Sequence, residues 1–162
     1  MFTSMKIRFS KPEDTQSILA LGQKMMEESR FADQKFNPEK TLKLIARMMD
    51  RQPDTDCILL AEREDGIIVG MLAGYIMDFF FCDGYVAQDR VYYVLPEYRG
   101  SSAAFKLILA FRRWAESKKV TELSINMSVA IDMERFNKFM THLGFSCCGS
   151  NFAMRLSYIK SK

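Results

Sequence analysis

The run Tyr93-Val94-Leu95-Pro96-Glu97-Tyr98-Arg99-Gly100-Ser101-Ser102-Ala103-Ala104 carries the most chemistry in this chain of 162 residues. An apolar strand leads into a short loop of very small residues, and the loop opens an amphipathic helix over residues 105–115. Small side chains let a ligand reach the backbone, and the first N–H groups of a helix have no partner inside it. Together with the positive end of the helix dipole, those donors form a site for an anion, most often a phosphate. The loop lacks the Gly-Lys-Ser/Thr ending of a Walker loop. It also lacks the three spaced glycines of a dinucleotide-binding turn. What remains is an anion cradle built mainly of backbone.

Other chemistries find less support. A net charge of +3, with no block of like charges, argues against a nucleic-acid partner and suits a small anionic cofactor. The cysteines Cys57, Cys82, Cys147 and Cys148 form no Cys-x-x-Cys pair, and His142 is the single histidine, so no metal site is expected. Free thiols point to a reducing, cytoplasmic setting. The longest apolar run, residues 67–81, is interrupted by Gly70, Gly74 and Asp78. It falls short of the roughly 20 residues of a membrane helix, so it reads as a long buried strand with no membrane partner.

The elements that must position the loop are set by periodicity and punctuation. Met5, Ile7 and Phe9 alternate as a first strand, and Ser10 with Glu13 fits a capping box ahead of a helix carrying Ile18, Leu21 and Met25. Asn37-Pro38 starts a second helix, which Pro53-Asp54 ends. Residues 57–61 read as a strand, Asp65-Gly66 as a hairpin turn, 67–79 as the return strand and 85–95 as the strand feeding the loop. In the next helix Ala104, Ile108, Phe111 and Ala115 form the inner stripe. Residues 120–127 are strand-like. Met133, Phe136, Met140 and Leu143 mark a last helix stopped by Gly144, and 145–148 with 152–156 close the chain as paired strands. The order β-α-α-β-β-β-α-β-α-β-β implies one α/β domain over residues 1–162, a mixed sheet with helices on both faces.

That order, with three local motifs, resembles the GNAT superfamily of acyl-CoA-dependent N-acyltransferases. The loop is similar to the family's pyrophosphate signature Gln/Arg-x-x-Gly-x-Gly/Ala. Arg99 takes the first position, Ala104 the last, and Ser102 stands where the middle glycine is usual. The stretch Lys138-Phe139-Met140-Thr141-His142-Leu143-Gly144-Phe145 resembles the family's helix-end pattern, commonly Leu-Tyr-Glu-Lys-Leu-Gly-Phe. The opening run from Ile7 to Asp14 resembles its first strand and helix start.

The resemblance implies transfer of an acetyl group from acetyl-CoA to a primary amine on a small molecule or protein, without a metal. It leaves room for a homodimer. Arg99, Gly100, Ser101, Ser102, Ala103 and Ala104 would contact the pyrophosphate, and the pantetheine arm would pair with the backbone of Tyr93, Val94 and Leu95. The N–H of Val94 or Leu95 would polarise the thioester. A carboxylate near the start of the same strand would serve as general base: Asp89 first, with Asp83 and Asp78 nearby and ordered water as the alternative. The family's usual proton-donating tyrosine is replaced by Met140, whose thioether has no proton to give. Tyr92 and Tyr93 are the substitutes on the strand. Ser102 and Met140 favour the rival reading, a GNAT fold that binds coenzyme A in a regulatory role.

Overall fold

The computed structural model describes residues 4–126, 132–149 and 152–156. The chain divides into two compact units, Met1–Ala130 and Ile131–Lys162. The first holds β1 (Met5–Phe9), α1 (Thr15–Glu28), α2 (Pro38–Arg51), β2 (Asp56–Arg63), β3 (Ile68–Asp78), β4 (Tyr85–Val94), α3 (Ala103–Ser117) and β5 (Glu122–Ser124). Among the described residues the strands form one sheet in the order β1-β2-β3-β4-β5. The first three pairings are antiparallel and β4–β5 is parallel. Antiparallel neighbours need only turns, such as the one at Gly66 (φ 83°), whereas a parallel pair needs a crossover, here α3.

Adjacent residues of a strand point to opposite faces, and β4 shows what covers each face. Tyr93 reaches Glu28 at the end of α1, while the Tyr92 hydroxyl donates to the Ala104 carbonyl of α3 at 3.0 Å. Helices therefore lie on both faces, as the sequence order implies. The α3 side is packed closely. A Cβ on Gly74 of β3 would lie 2.4 Å from the Phe111 ring, so only glycine fits beneath that helix. Phe111 stacks on Trp114 at 5.6 Å, and Trp114 donates its indole N–H to the Pro53 carbonyl at 2.6 Å. Leu72, Leu107 and Ile108, each with 2% exposure or less, complete the core on this side.

Several local expectations shift. The capping arrangement lies one residue later than Ser10 and Glu13. The Asp14 carboxylate accepts the Lys11 N–H at 2.7 Å and is also gripped by Arg8, while the Ser10 hydroxyl turns to Gln52. Asp14 wins because it serves the turn and an ion pair together. The α3 helix begins at Ala103, and Leu107 and Trp114 join its buried stripe while Ala104 stays half-buried. The strand expected over 120–127 narrows to Glu122–Ser124, and residue 127 lies outside the described residues.

In the second unit α4 spans Met133–His142. The Asp132 side chain accepts the N–H groups of Glu134 and Arg135, and Gly144 (φ 89°) ends the helix with the Phe145 N–H donating to the Met140 carbonyl. That is the left-handed glycine stop expected from sequence. The closing strand pair is not found among the described residues. Neither 145–149 nor 152–156 is in a strand, and Phe152, Met154 and Leu156 are 67–95% exposed. Alternating apolar residues make a strand only when a neighbour takes up their backbone groups.

Candidate functional site

Strand β4 changes character along its length. Val86, Ala87 and Gln88 pair with β3 on one edge and with β5 on the other. Above Gln88 the parallel pairing stops. The register against β3 also slips, so that Gly74 faces Asp89, Ala73 faces Val91 and Arg90 is the extra residue. An inserted residue bends a strand and re-aims the residues beyond it. From Arg90 to Val94 the strand keeps its partner β3, and its other edge has no strand beside it among the described residues.

The register decides which N–H groups face that open edge. The Leu95 N–H donates to the Val69 carbonyl at 2.9 Å, so Leu95 points at β3. Orientation alternates along an antiparallel ladder. Val94 and Tyr92 therefore turn their N–H and C=O groups to the open side. Of the two donors considered for the thioester, Leu95 is already engaged and Val94 is available.

The loop continues directly from this edge. A single helical turn, Pro96–Tyr98, carries the chain to Gly100, whose Cβ position is open space. At the start of α3 the Ser101 hydroxyl accepts the Ala103 N–H at 3.2 Å, and the Lys106 N–H makes the first bond back, to Ser102, at 3.0 Å. The N–H groups of Gly100, Ala104 and Phe105 have no partner among the described residues. Ser102 is exposed, in helical backbone, with no capping bond from its side chain. Unpaired donors at the start of a 15-residue helix have the geometry to hold an anion without any basic side chain. The Arg99 side chain turns inward. Its Nε donates to the Val94 carbonyl at 3.0 Å and a terminal nitrogen meets Glu28 at 2.6 Å.

Asp89 sits where β4 and β5 part. It is 6% exposed, and its carboxylate accepts the Asn126 backbone N–H at 2.7 Å and the Asn126 amide at 3.3 Å. Burial pushes its pKa up to about 6, against the opposing pull of the Asn126 hydrogen bonds. Asp78 and Asp83 are exposed around the β3–β4 turn. Burial also raises the Tyr92 and Tyr93 phenols above their ordinary value, for Tyr93 with help from the Glu28 hydrogen bond. Both stay protonated at neutral pH. Met140 is buried in α4 at 8% exposure, and His142 is exposed at the end of that helix.

The profile of the acetyltransferase (GNAT) family matches residues 22–145, most of the chain. The chain belongs to the GNAT family. As a GNAT protein it is an acyltransferase, and solved structures match it over nearly their full lengths. The aminoglycoside N-acetyltransferase AAC(6')-Iy in complex with CoA is 20% identical with a TM-score of 0.74, covering 96% of this chain and 97% of that one. Aminoglycoside 6'-N-acetyltransferase AAC(6')-Ih from Acinetobacter baumannii is 20% identical with a TM-score of 0.73, covering 96% and 99%. Glucosamine-6-phosphate N-acetyltransferase from Arabidopsis thaliana is 18% identical with a TM-score of 0.68, covering 98% and 99%. No curated protein matches the sequence significantly. At these identities the structures speak for the fold.

In this GNAT chain two groups at the site carried no sequence signal. Glu28 ends α1 and holds both the Tyr93 hydroxyl and Arg99, while Asn126 pins Asp89. A groove of about 700 Å³ also opens between β1 and α3, floored by Leu59, Leu109 and Trp114. None of residues 93–104 lines it. The unpaired donors of the loop and the open β4 edge lie apart from this groove. Among the described residues no cluster of metal-ligating side chains occurs, and no helix is long and apolar enough to cross a membrane.

Proposed function

We propose that this GNAT domain, spanning residues 1–162, transfers an acetyl group from acetyl-CoA to a primary amine of a small molecule or protein in the cytoplasm. One observation carries the reading: the open edge of β4 runs straight into the unpaired N–H groups of Gly100, Ala104 and Phe105. A cofactor with an amide-bearing arm and a pyrophosphate needs that sequence of sites, a strand edge followed by an anion cradle. Ser101, Ser102 and Ala103 shape the turn, and their small side chains let the phosphates approach.

The thioester is already an activated acyl donor, so the protein's work is positioning, polarising and proton handling. The Val94 N–H polarises the thioester oxygen. Asp89, with a pKa near 6, is ionised at neutral pH and basic enough to take a proton from the incoming ammonium. It lies roughly 15 Å from Val94 at about 3.3 Å per residue, so that proton travels through water. The amine nitrogen bonds to the carbonyl carbon and sheds its second proton to water as the C–S bond breaks; the departing thiolate takes a proton from that water, directly or through Tyr93, which the water reprotonates.

The acceptor amine has its own test. Purified protein with acetyl-CoA is screened across amino sugars, polyamines and peptides for thiol release. A product heavier by one acetyl group on nitrogen supports the reading. Micromolar acetyl-CoA binding, about −8 kcal/mol at 1 μM, with no turnover on any amine, favours the regulatory alternative raised by Met140 and Ser102.

A further inference from the structure

The Arg99 side chain closes the site that it borders. Its Nε caps the Val94 carbonyl on the open edge of β4, and its terminal nitrogen pairs with Glu28 of α1. The other oxygen of the same carboxylate accepts the Tyr93 hydroxyl, and the guanidinium carbon stands 5.5 Å from the Tyr93 ring centre. One carboxylate thus ties together the end of α1, the end of β4 and the start of the loop. Burial opposes its charge, but the hydrogen bonds from Tyr93 and Arg99 and the Arg99 charge outweigh that and hold Glu28 ionised. Glu28 and Arg99 are both about one-third exposed, at 31% and 28%, so an anion in the loop can reach the pair.

We infer that Glu28 competes with the cofactor's pyrophosphate for Arg99, so that cofactor binding exchanges one ion pair for another and uncaps the Val94 carbonyl in the same movement. The exchange rests on the acetyl-CoA reading of the loop. A pyrophosphate carries more negative charge than one carboxylate and offers an arginine fork several oxygens, so it is the stronger partner. When Arg99 leaves, the strand edge it had capped becomes available to the rest of the cofactor. Without cofactor the Arg99 side chain occupies one carbonyl of that edge and leaves the Val94 N–H open. Glu28 is in this sense a positioning residue. It acts through Arg99 and has no need to touch the reacting atoms.

Calorimetry with CoA on four full-length proteins tests the exchange: wild type, Glu28→Gln, Arg99→Gln and the double variant. The glutamine at position 28 still accepts a hydrogen bond from Tyr93 but no longer holds the guanidinium by charge. Glu28→Gln should bind CoA about threefold to fivefold more tightly, the span of a partly exposed ion pair. Its Tm should fall by about 1–3 °C. General damage to the site would lower both affinity and Tm, so the opposite signs distinguish competition from a purely structural role. Arg99→Gln should weaken CoA binding, and adding Glu28→Gln to it should change nothing further. Unchanged or weaker binding by Glu28→Gln, beside normal wild-type binding, overturns the exchange and leaves the cofactor site standing. Absence of CoA binding by the wild type overturns the cofactor reading, and the exchange with it.

Discussion

The two halves of β4 belong to one continuous strand and differ in how their edges are paired. Below Asp89 the strand is paired on both edges, and Val86 and Ala87 are buried. Above it the same strand has one partner among the described residues and turns the N–H groups of Tyr92 and Val94 to the other edge. The inserted Arg90, with Asp89 pinned by Asn126, separates the two regimes. A strand offers its backbone along an edge where a neighbour's pairing stops, and its side chains need no change for that. This explains why Val94 looks like core in the sequence while the register turns its N–H to the open edge.

The largest effect is expected at the point of separation. Asp89→Asn should lower turnover by about 10²–10⁴-fold, the range for losing a general base. The wild-type rate should fall as pH drops below about 6, the value to which burial raises Asp89, and that limb should vanish in the variant. Stability should move the other way. A carboxyl with a folded pKa above its unfolded value near 3.9 favours the fold below that value, and the contribution is lost as pH rises through about 6. At pH 7–8 Asp89→Asn should therefore be at least as stable as the wild type in urea titrations. A variant that is both inactive and unstable would make Asp89 a structural pin.

Gly74→Ala comes next, and it tests the closed half. Its methyl would meet the Phe111 ring at 2.4 Å, so a loss of about 1–3 kcal/mol in denaturant titrations is expected. Gly100→Leu tests the open half. No atom lies within 4 Å of its Cβ position, so stability should stay within about 0.5 kcal/mol while acetyl-CoA affinity falls at least tenfold by calorimetry. The smallest effect belongs to Tyr92→Phe. It deletes the hydrogen bond to the Ala104 carbonyl that ties β4 to α3, and a stability loss of about 0.5–1.5 kcal/mol should appear in the Tm. A loss of turnover with unchanged Tm would instead identify Tyr92 as the proton donor.

Legibility in the sequence tracked the range of each interaction. Asn37-Pro38, the Asp65-Gly66 turn and the Gly144 stop were readable because cap and turn chemistry is complete within a few residues. The strand–loop–helix connection over residues 93–104 was readable for the same reason, since a strand, small residues and a helix start are neighbours in the chain. The Ser10–Glu13 box was displaced to Lys11 and Asp14 because Arg8, brought there by folding, selected the carboxylate. Glu28 was silent. Its partners lie 65 and 71 residues away, and nothing near Glu28 in sequence distinguishes it from a solvated helix end. The choice between Val94 and Leu95 needed the β3–β4 register, which no local pattern specifies. The closing strands failed from the opposite cause: Phe152, Met154 and Leu156 have strand alternation but no strand beside them among the described residues.

The most direct test tracks backbone amides by heteronuclear NMR while CoA is added to the ¹⁵N-labelled protein. The expected result is that the N–H signals of Val94, Gly100, Ala104 and Phe105 move the most. Those of Leu95, held by Val69, and of Val86–Gln88, held on both sides, should change little. Saturating CoA that shifts none of the first group, or that moves only residues of the β1–α3 groove such as Arg113 and Trp114, would contradict the assignment of the open half of β4 as the cofactor site.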